Sequence, residues 1–386
     1  MKAAVSILRF ILGVIYFFMK LKPTDKNKVL FLSRQSNEPT EDFLFLAARL
    51  REKKPDIKLV MITKRADKGL KNLLVFGWQT LRSVHHLADC SVCVLDTYWP
   101  AVSMLKHKNE LCVIQLWHAM AKIKRSGWQT VGKKLGRSEK LAQAANMHGG
   151  YDVVIAGGKA FNPFYCASFG VKEDVLYNVG LPRMDRLRES VDGCEELFFA
   201  KYPELRGKKL VLYAPTFRRG QILCPDGIIE AFAPFDDMVL IIKRHPNQRL
   251  SLPEGKTVYT CDEVPTSCVL SVCDAVITDY SAISIEAAVL RKPLYFYLFD
   301  YEEYLRDNGL NVILSDELPD CVFRSAEPLA EYVLSGVYDT AAYTRFCEKY
   351  LPDMSGRATD KIAALITDCL KRGKHEAIAA RVGVQN

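Results

Sequence analysis

A chain of 386 residues, 49% hydrophobic and 25% charged, is too long for one ordinary core and too apolar for a disordered protein, so two domains of similar size are expected. The formal charge of +8 suits an anionic substrate, an anionic membrane face or a nucleic acid, and composition alone does not choose among them. Twelve cysteines scattered through apolar runs such as "ADCSVCVLD" and "NELCVIQLW" argue against a secreted disulfide framework and for small core side chains in a reduced, cytosolic chain.

The first element is "MKAAVSILRFILGVIYFFMKLK", a predicted helix over residues 1–22 with no small-residue cleavage site after it. On a helix, Lys2, Ser6, Arg9, Gly13, Tyr16 and Lys20 draw one narrow polar stripe, while Val5, Leu8, Leu12, Ile15 and Met19 face away. The pattern predicts an interfacial helix with Arg9 among lipid phosphates, because Arg9 at the centre of a spanning helix would cost roughly 2.5–3.5 kcal/mol. A single spanning anchor is the alternative. Lys20, Lys22, Lys26 and Lys28 add attraction to an anionic cytoplasmic membrane surface under either reading.

From residue 28 short β-branched runs alternate with helix-period segments, the rhythm of βαβ units. "KVLFLS", "IKLVMIT", "SVCVLD", "LCVIQLW", "DVVIAG" and "VLYNVG" read as strands, with helices over 41–53, 67–87 and 159–169. Cys90 and Cys93 form a CxxC inside one of these strands, with no second pair, and read as core packing rather than a metal or redox site. After "GLPRMDRL" and a polar helical stretch the rhythm restarts with "KLVLYA", "MVLIIK", "DAVITD" and "PLYFYLF". The expected organisation is an interfacial helix at 1–22, an acceptor domain at 23–186 and a donor domain at 187–386, the last two doubly wound and facing one cleft.

In such sheets ligands bind beyond the carboxyl ends of the strands, and four polar clusters sit there. Trp117 and His118 follow "LCVIQL", Thr216 to Arg219 follow "LVLYAP", Lys243 to Pro246 follow "MVLII", and Asp279 to Ser281 follow "AVIT". Ser281 reads as N-cap of the helix "AISIEAAVLR", with Ser284 on the same turn, and an open helix N-terminus suits a pyrophosphate. Taken alone, an ordinary capped helix is the simpler reading. Glu286 could accept hydrogen bonds from a ribose diol or simply complement the helix dipole.

His245, framed by Lys243, Arg244 and Pro246, forms with Arg218 and Arg219 a cationic edge fit to neutralise a transferring phosphoryl group. His118 opens a basic stretch of Lys122, Lys124, Arg125, Lys133, Lys134, Arg137 and Lys140 against Glu139. A histidine there can take a proton from an attacking hydroxyl, with Lys122, Lys124 and Arg125 holding a phosphate-bearing acceptor. Nucleic acid is a poorer partner, since no aromatic stacking platform or nucleic-acid-binding signature interleaves the charges.

Together "QLWHAMAKIKRSG", "GLPRMD", "YAPTFR", "KRHPN" and "DYSAISIEAAVLRKPLYFYLFDYEEY" resemble the CDP-glycerol glycerophosphotransferases of teichoic-acid-type polymer synthesis, over residues from about 110 to 310. The resemblance implies an α/β, GT-B-like fold of two Rossmann-type domains, no required metal or other cofactor, and monotopic membrane attachment. It implies that His118 is the catalytic base and that His245 contacts the donor phosphates. Thr216, Arg218 and Ser281 then fall at donor-binding positions, with Lys243, Asp279, Ser284 and Glu286 beside them. Arg183 and Asp185 lie in a Pro-Arg-x-Asp turn of partly structural role. Two departures stand out. Ala119-Met120-Ala121 replaces the Gly-Thr-Pro of one large branch, and Ala282 replaces the second serine of the usual Ser-Ser pair.

The expected reaction moves a polyol phosphate, glycerol phosphate first among candidates, from a CDP-polyol to a hydroxyl of a lipid-linked or polymeric acceptor, releasing CMP. The absence of room for a further acceptor-handling domain favours priming or short addition. Two alternatives remain open at this stage, a nucleotide-sugar glycosyltransferase on the same fold and a catalytically silent polymer-binding membrane partner.

Overall fold

The computed structural model describes residues 2–65, 69–134, 136–189, 191–218, 222–223, 225–244, 248–252 and 258–382. The chain divides into two compact units, the first made of Met1–Met120, Arg125–Asp185 and Pro352–Asn386, the second of Ala121–Lys124 and Arg186–Leu351. Residues 352–386 thus pack with the first unit, after the chain has passed through the second.

The first unit begins with α1 (Lys2–Met19). Its sheet comprises β1 (Asp25–Ser33), β2 (Lys58–Thr63), β3 (Cys90–Leu95), β4 (Cys112–Gln115), β5 (Val153–Ile155) and β6 (Leu176–Tyr177) in the order β2-β1-β3-β4-β5-β6. All five pairings are parallel, with Val29 opposite Leu59 on one side and Val92 on the other. Val29 to Leu32 and Val92 to Leu95 are fully buried, as central strands of a doubly wound sheet require. Between the strands run α2 (Glu41–Lys53), α3 (Leu70–Leu87), α4 (Pro100–Met104), α5 (Glu139–Ala144) and α6 (Asn162–Phe169), and α7 (Pro182–Glu189) follows β6. In α2, Glu41 and Asp42 occupy the first turn and Arg51 and Lys53 the last, complementing the helix dipole, while Phe43, Leu46, Ala47 and Leu50 are buried. Cys90 and Cys93 are buried in β3, and burial pushes the Cys90 thiol up to about 12, far from metal or redox chemistry.

Three residues of the polar stripe of α1 bond backbone carbonyls of the first unit: Arg9 Nε donates to the Met104 carbonyl at 2.9 Å, Tyr16 OH donates to the Leu87 carbonyl at 3.1 Å, and Lys20 Nζ donates to the Lys106 carbonyl at 2.9 Å. Those carbonyls at element ends need donors, and the stripe supplies them. Leu12 and Tyr16 are buried, whereas Ile7, Phe10, Ile11, Phe17 and Phe18 are exposed. α3, which packs against α1, exposes Leu70, Leu73, Leu74, Trp78 and Leu81, the i, i+3, i+4 spacing of one helical face. Among the described residues no helix is long and apolar enough to cross a membrane.

The second unit opens with α8 (Val191–Lys201) and carries β7 (Lys209–Tyr213), β8 (Ile222–Leu223), α9 (Asp226–Phe232), β9 (Met238–Ile242), β10 (Arg249–Leu250), α10 (Thr266–Val272), β11 (Ala275–Thr278) and α11 (Ile283–Val289). It continues through β12 (Leu294–Tyr297), α12 (Tyr301–Asp307), α13 (Leu314–Glu317), β13 (Val322–Phe323), α14 (Ala326–Ser335) and α15 (Thr340–Tyr350). The main sheet is parallel throughout, in the order β13-β12-β11-β7-β9, and β8 pairs with β10 alone. α8 and α10 pack side by side and a disulfide joins Cys194 to Cys268, which corrects the expectation of a fully reduced chain.

The returning segment adds α16 (Ala358–Arg372) and α17 (Lys374–Arg381) to the first unit. α16 buries Ile362, Leu365, Ile366 and Leu370 and packs against α2 and β3. Its first turn is capped from a distance: Asp185 accepts from the Ala358 and Thr359 amides at 2.9 and 2.8 Å and from the Thr359 hydroxyl at 2.6 Å. Gly180 just before that turn takes a positive φ of 74°, and a Cβ there would lie 2.4 Å from Met184 Sδ.

Candidate active site

Each parallel sheet reverses its winding direction once, between β1 and β3 in the first unit and between β7 and β11 in the second. At such switch points the loops diverge and leave a crevice beyond the strand ends. The polar clusters collect there.

In the first unit β4 ends at Gln115, and the chain turns sharply through Trp117, a non-glycine residue at φ 60°. This left-handed conformation is strained, and the Gln115 side chain holds it by accepting from the Trp117 amide at 2.8 Å. The turn presents His118, which is exposed, with its ring tilted by 38° against Trp117 at a centroid distance of 4.1 Å. Trp117 is itself wedged against Phe169 and His148. His118 Nδ1 lies 3.2 Å from the Asp96 carbonyl at the end of β3. A carbonyl can only accept, so Nδ1 carries the proton and Nε2 is the basic nitrogen of the neutral ring.

Arg183 secures the same loop. Its amide and guanidinium bond the buried Asp42 carboxylate at 2.8 and 3.1 Å, and a second guanidinium nitrogen donates to the His118 carbonyl at 2.7 Å. The Pro-Arg-x-Asp turn therefore works twice, Arg183 bracing the histidine loop and Asp185 capping α16. Gly157 passes so close to the loop that a Cβ would lie 2.3 Å from the Met120 carbonyl.

In the second unit Arg218 lies between two carboxylates. Nη1 donates to Asp279 at 2.8 Å, and Nε and Nη2 donate to Asp300 at 2.6 and 2.9 Å. The guanidinium also stacks against Phe299 and Tyr304. Although burial opposes its charge, the pairing with Asp300 and Asp279 holds its pKa above the ordinary arginine value. Asp279 also accepts the Thr216 amide at 2.8 Å, tying the end of β7 to the end of β11. Thr216 Oγ1 is buried with no hydrogen-bond partner among the described residues.

The other expected site residues have these partners. The Arg218 guanidinium is paired with both Asp279 and Asp300. Lys243 Nζ is committed to the carbonyls of Cys261 and Val264, and burial lowers its pKa. Ser281 is not the N-cap: Ala282 holds that position, and Ser281 Oγ accepts from the Ile283 amide only at 3.5 Å. Ser284 is fully buried and donates to the Ser281 carbonyl at 2.8 Å, which points it into the turn. Glu286 is half-buried on α11. His245 and Arg219 lie outside the described residues.

The three expected acceptor residues separate. Lys122 is almost wholly buried in the second unit, and burial drives its pKa well below the usual lysine range. Lys124 belongs to the second unit too. Its backbone bridges Leu310, and Asn311 donates its amide to Ile123 and its side chain to the Lys122 carbonyl. Burial lowers the Lys124 pKa, and its electrostatic neighbours are Asp279 and Arg218, so it joins the cluster at the second sheet's switch point. Arg125 is exposed in the first unit. Asp96, Asp42, Gln115 and Asp300 were missed by sequence reasoning. Asp96 and Asp300 each follow directly or closely on a strand, the position that singled out His118 and Asp279.

Residues 14–368 match the family described as CDP-Glycerol:Poly(glycerophosphate) glycerophosphotransferase, and the chain belongs to it. It is thus a transferase of polyol phosphates, of the kind that builds teichoic-acid-type polymers. Among its relatives, the teichoic acid ribitol-phosphate primase of Bacillus spizizenii is 26% identical over 95% of this chain and 98% of its own length. The ribitol-phosphate polymerase TarK of Staphylococcus aureus is 25% identical over 96% of this chain and 74% of its own. A teichoic acid glycerol-phosphate primase of Bacillus spizizenii is 27% identical over 59% of this chain. The fold is similar to that of the wall teichoic acid polymerase TagF, with a TM-score of 0.69 at 16% identity over 96% of this chain and 97% of that one.

Proposed function

We propose that the protein transfers a polyol phosphate from a CDP-polyol to a hydroxyl of a lipid-linked acceptor, with His118 as the general base. The observation that carries this reading is the exposed His118 imidazole, held with its proton on Nδ1 by the Asp96 carbonyl. Nε2 takes the proton from the acceptor hydroxyl, the oxygen attacks the phosphorus bearing the polyol, and the bond to the CMP oxygen breaks. On the donor side, Lys124, Thr216 and Ser281 are the groups at the second sheet's switch point suited to phosphate, with His245 in the same role by sequence position. Arg218, Asp279 and Asp300 form the scaffold beneath them.

The family description favours glycerol phosphate as the cargo. A ribitol-phosphate reading is favoured by a different observation: the ribitol-phosphate primase aligns over nearly the whole of both chains, which also supports priming. Purified protein supplied with a lipid-linked disaccharide and either CDP-glycerol or CDP-ribitol decides between them by CMP release and product mass. Release of CMP from neither donor, with turnover of a UDP- or GDP-sugar instead, would replace the reading with glycosyl transfer.

We further infer that the exposed apolar faces of α1 and α3 lie in the bilayer interface, with Lys20 and Lys22 near anionic headgroups. A contiguous apolar surface of this kind is unusual on a monomer and favours insertion into the headgroup boundary. Cosedimentation with phosphatidylglycerol vesicles tests this directly, and retention in the supernatant at low salt would refute it.

A further inference from the structure

The carboxyl group of Asp96 is unaccounted for by the steps above. It is 2% exposed at the end of β3, beside the switch point of the first sheet. Its Oδ2 accepts from the Ser33 hydroxyl at 2.8 Å, at the end of β1, and from the Thr40 hydroxyl at 3.4 Å, just before α2. Its Oδ1 is buried and has no hydrogen-bond partner among the described residues. A buried carboxyl with an unsatisfied oxygen is costly, and such costs persist where they serve a site.

We propose that Asp96 is a positioning residue for the base, its carbonyl oxygen fixing the His118 tautomer and its anchored carboxyl group raising the basicity of the imidazole. The reading rests on His118 as the proton acceptor. The carbonyl and carboxyl belong to one residue, so the Ser33 and Thr40 anchors set the position of both. When the acceptor hydroxyl gives its proton to Nε2, the ring becomes a cation with both nitrogens protonated. Nδ1–H then donates more strongly to the Asp96 carbonyl, and negative charge on the carboxyl group of the same residue lowers the energy of the imidazolium being formed. The oxygen–phosphorus bond forms as the phosphorus–CMP bond breaks, and the transferred proton remains on His118 until solvent takes it.

The charged groups around the carboxyl leave this role to Asp96. Asp42 from α2 is the nearest other carboxylate and is already paired with Arg183 from α7. Arg34, following β1, turns its guanidinium to the Tyr98 carbonyl at 3.0 Å. Burial raises the Asp96 pKa to about 7.

The test is histidine-selective NMR on the full chain, with imidazole carbons and nitrogens labelled and the His118 signals assigned by loss in His118→Gln. The wild-type protein is expected to show the Nδ1–H tautomer at His118. Asp96→Asn, which keeps a hydroxyl acceptor for Ser33 and Thr40, is expected to lower the His118 pKa by about half a pH unit or more. The acid limb of the pH profile for CMP release should move to lower pH with it. An Nε2–H tautomer in the wild-type protein overturns the proposal whether or not the variant folds. So does a folded Asp96→Asn protein whose His118 titrates within about 0.2 pH unit of wild type. The NMR result stands apart from activity, so a wild-type protein that releases no CMP would defeat the transfer reaction and leave this measurement intact.

Discussion

Replacing Arg218 with Met separates a brace from a phosphate ligand. Met retains the aliphatic packing against Phe299 and Tyr304 and removes all four guanidinium bonds to Asp279, Asp300 and the Thr216 carbonyl. The Asp279 and Asp300 side chains, only 1% and 16% exposed, are left without their counter-charge. Removing one partner of such a buried pair costs about 3–5 kcal/mol, a large share of the roughly 5–15 kcal/mol that stabilises a typical domain. The loss should appear as a lower urea midpoint in far-UV circular dichroism and as faster hydrogen exchange in peptides spanning 209–218 and 275–289. An Arg218→Met protein with an unchanged midpoint and only a raised KM for the CDP donor would refute the brace and restore arginine as a donor ligand.

Three further outcomes are expected. Arg183→Ala frees the His118 carbonyl and should reduce kcat by about 10- to 100-fold with little change in donor KM, since the loop carries the proposed base; an equal loss in KM alone would count against that. Asp96→Asn should gain stability relative to wild type as pH rises from about 4 to about 7 and keep that gain above it. The Asp96 pKa is raised from 3.8 to about 7 in the folded protein, so wild-type stability falls as pH rises through that window, and Asn escapes the loss. All four tryptophans, Trp78, Trp99, Trp117 and Trp128, belong to the first unit, so urea unfolding followed by tryptophan fluorescence reports this effect, and a stability difference independent of pH would contradict it. Phe10→Glu combined with Trp78→Glu should abolish binding to anionic vesicles while sparing the fold, because both side chains are more than half exposed; undiminished binding would place the membrane face elsewhere.

The strands were legible because parallel strands buried on both faces read as continuous apolar runs, and the polar residues just after them marked both switch points. His118 emerged this way, and so did Asp279. Partners across sequence were not legible. Lys122 and Lys243 look like surface cations in a local window, but their burial depends on the 310–312 and 261–264 segments. Arg218 follows a strand, but its partner Asp300 lies 82 positions away. The polar stripe of α1 was plain, whereas its partners, the carbonyls of residues 87, 104 and 106, are ones that no helical periodicity reveals. The return of residues 352–386 to the first unit depended on Asp185 reaching the start of α16, a contact 173 positions apart.

The central claim is that His118 removes the acceptor proton. Its most direct test is single-turnover CMP release from CDP-glycerol and CDP-ribitol, with a lipid-linked disaccharide acceptor, by wild-type and His118→Ala proteins of matched donor affinity. Loss of a general base predicts a fall of about 100-fold or more in the transfer rate with the donor still bound. Transfer by His118→Ala within a few-fold of wild type would contradict the account.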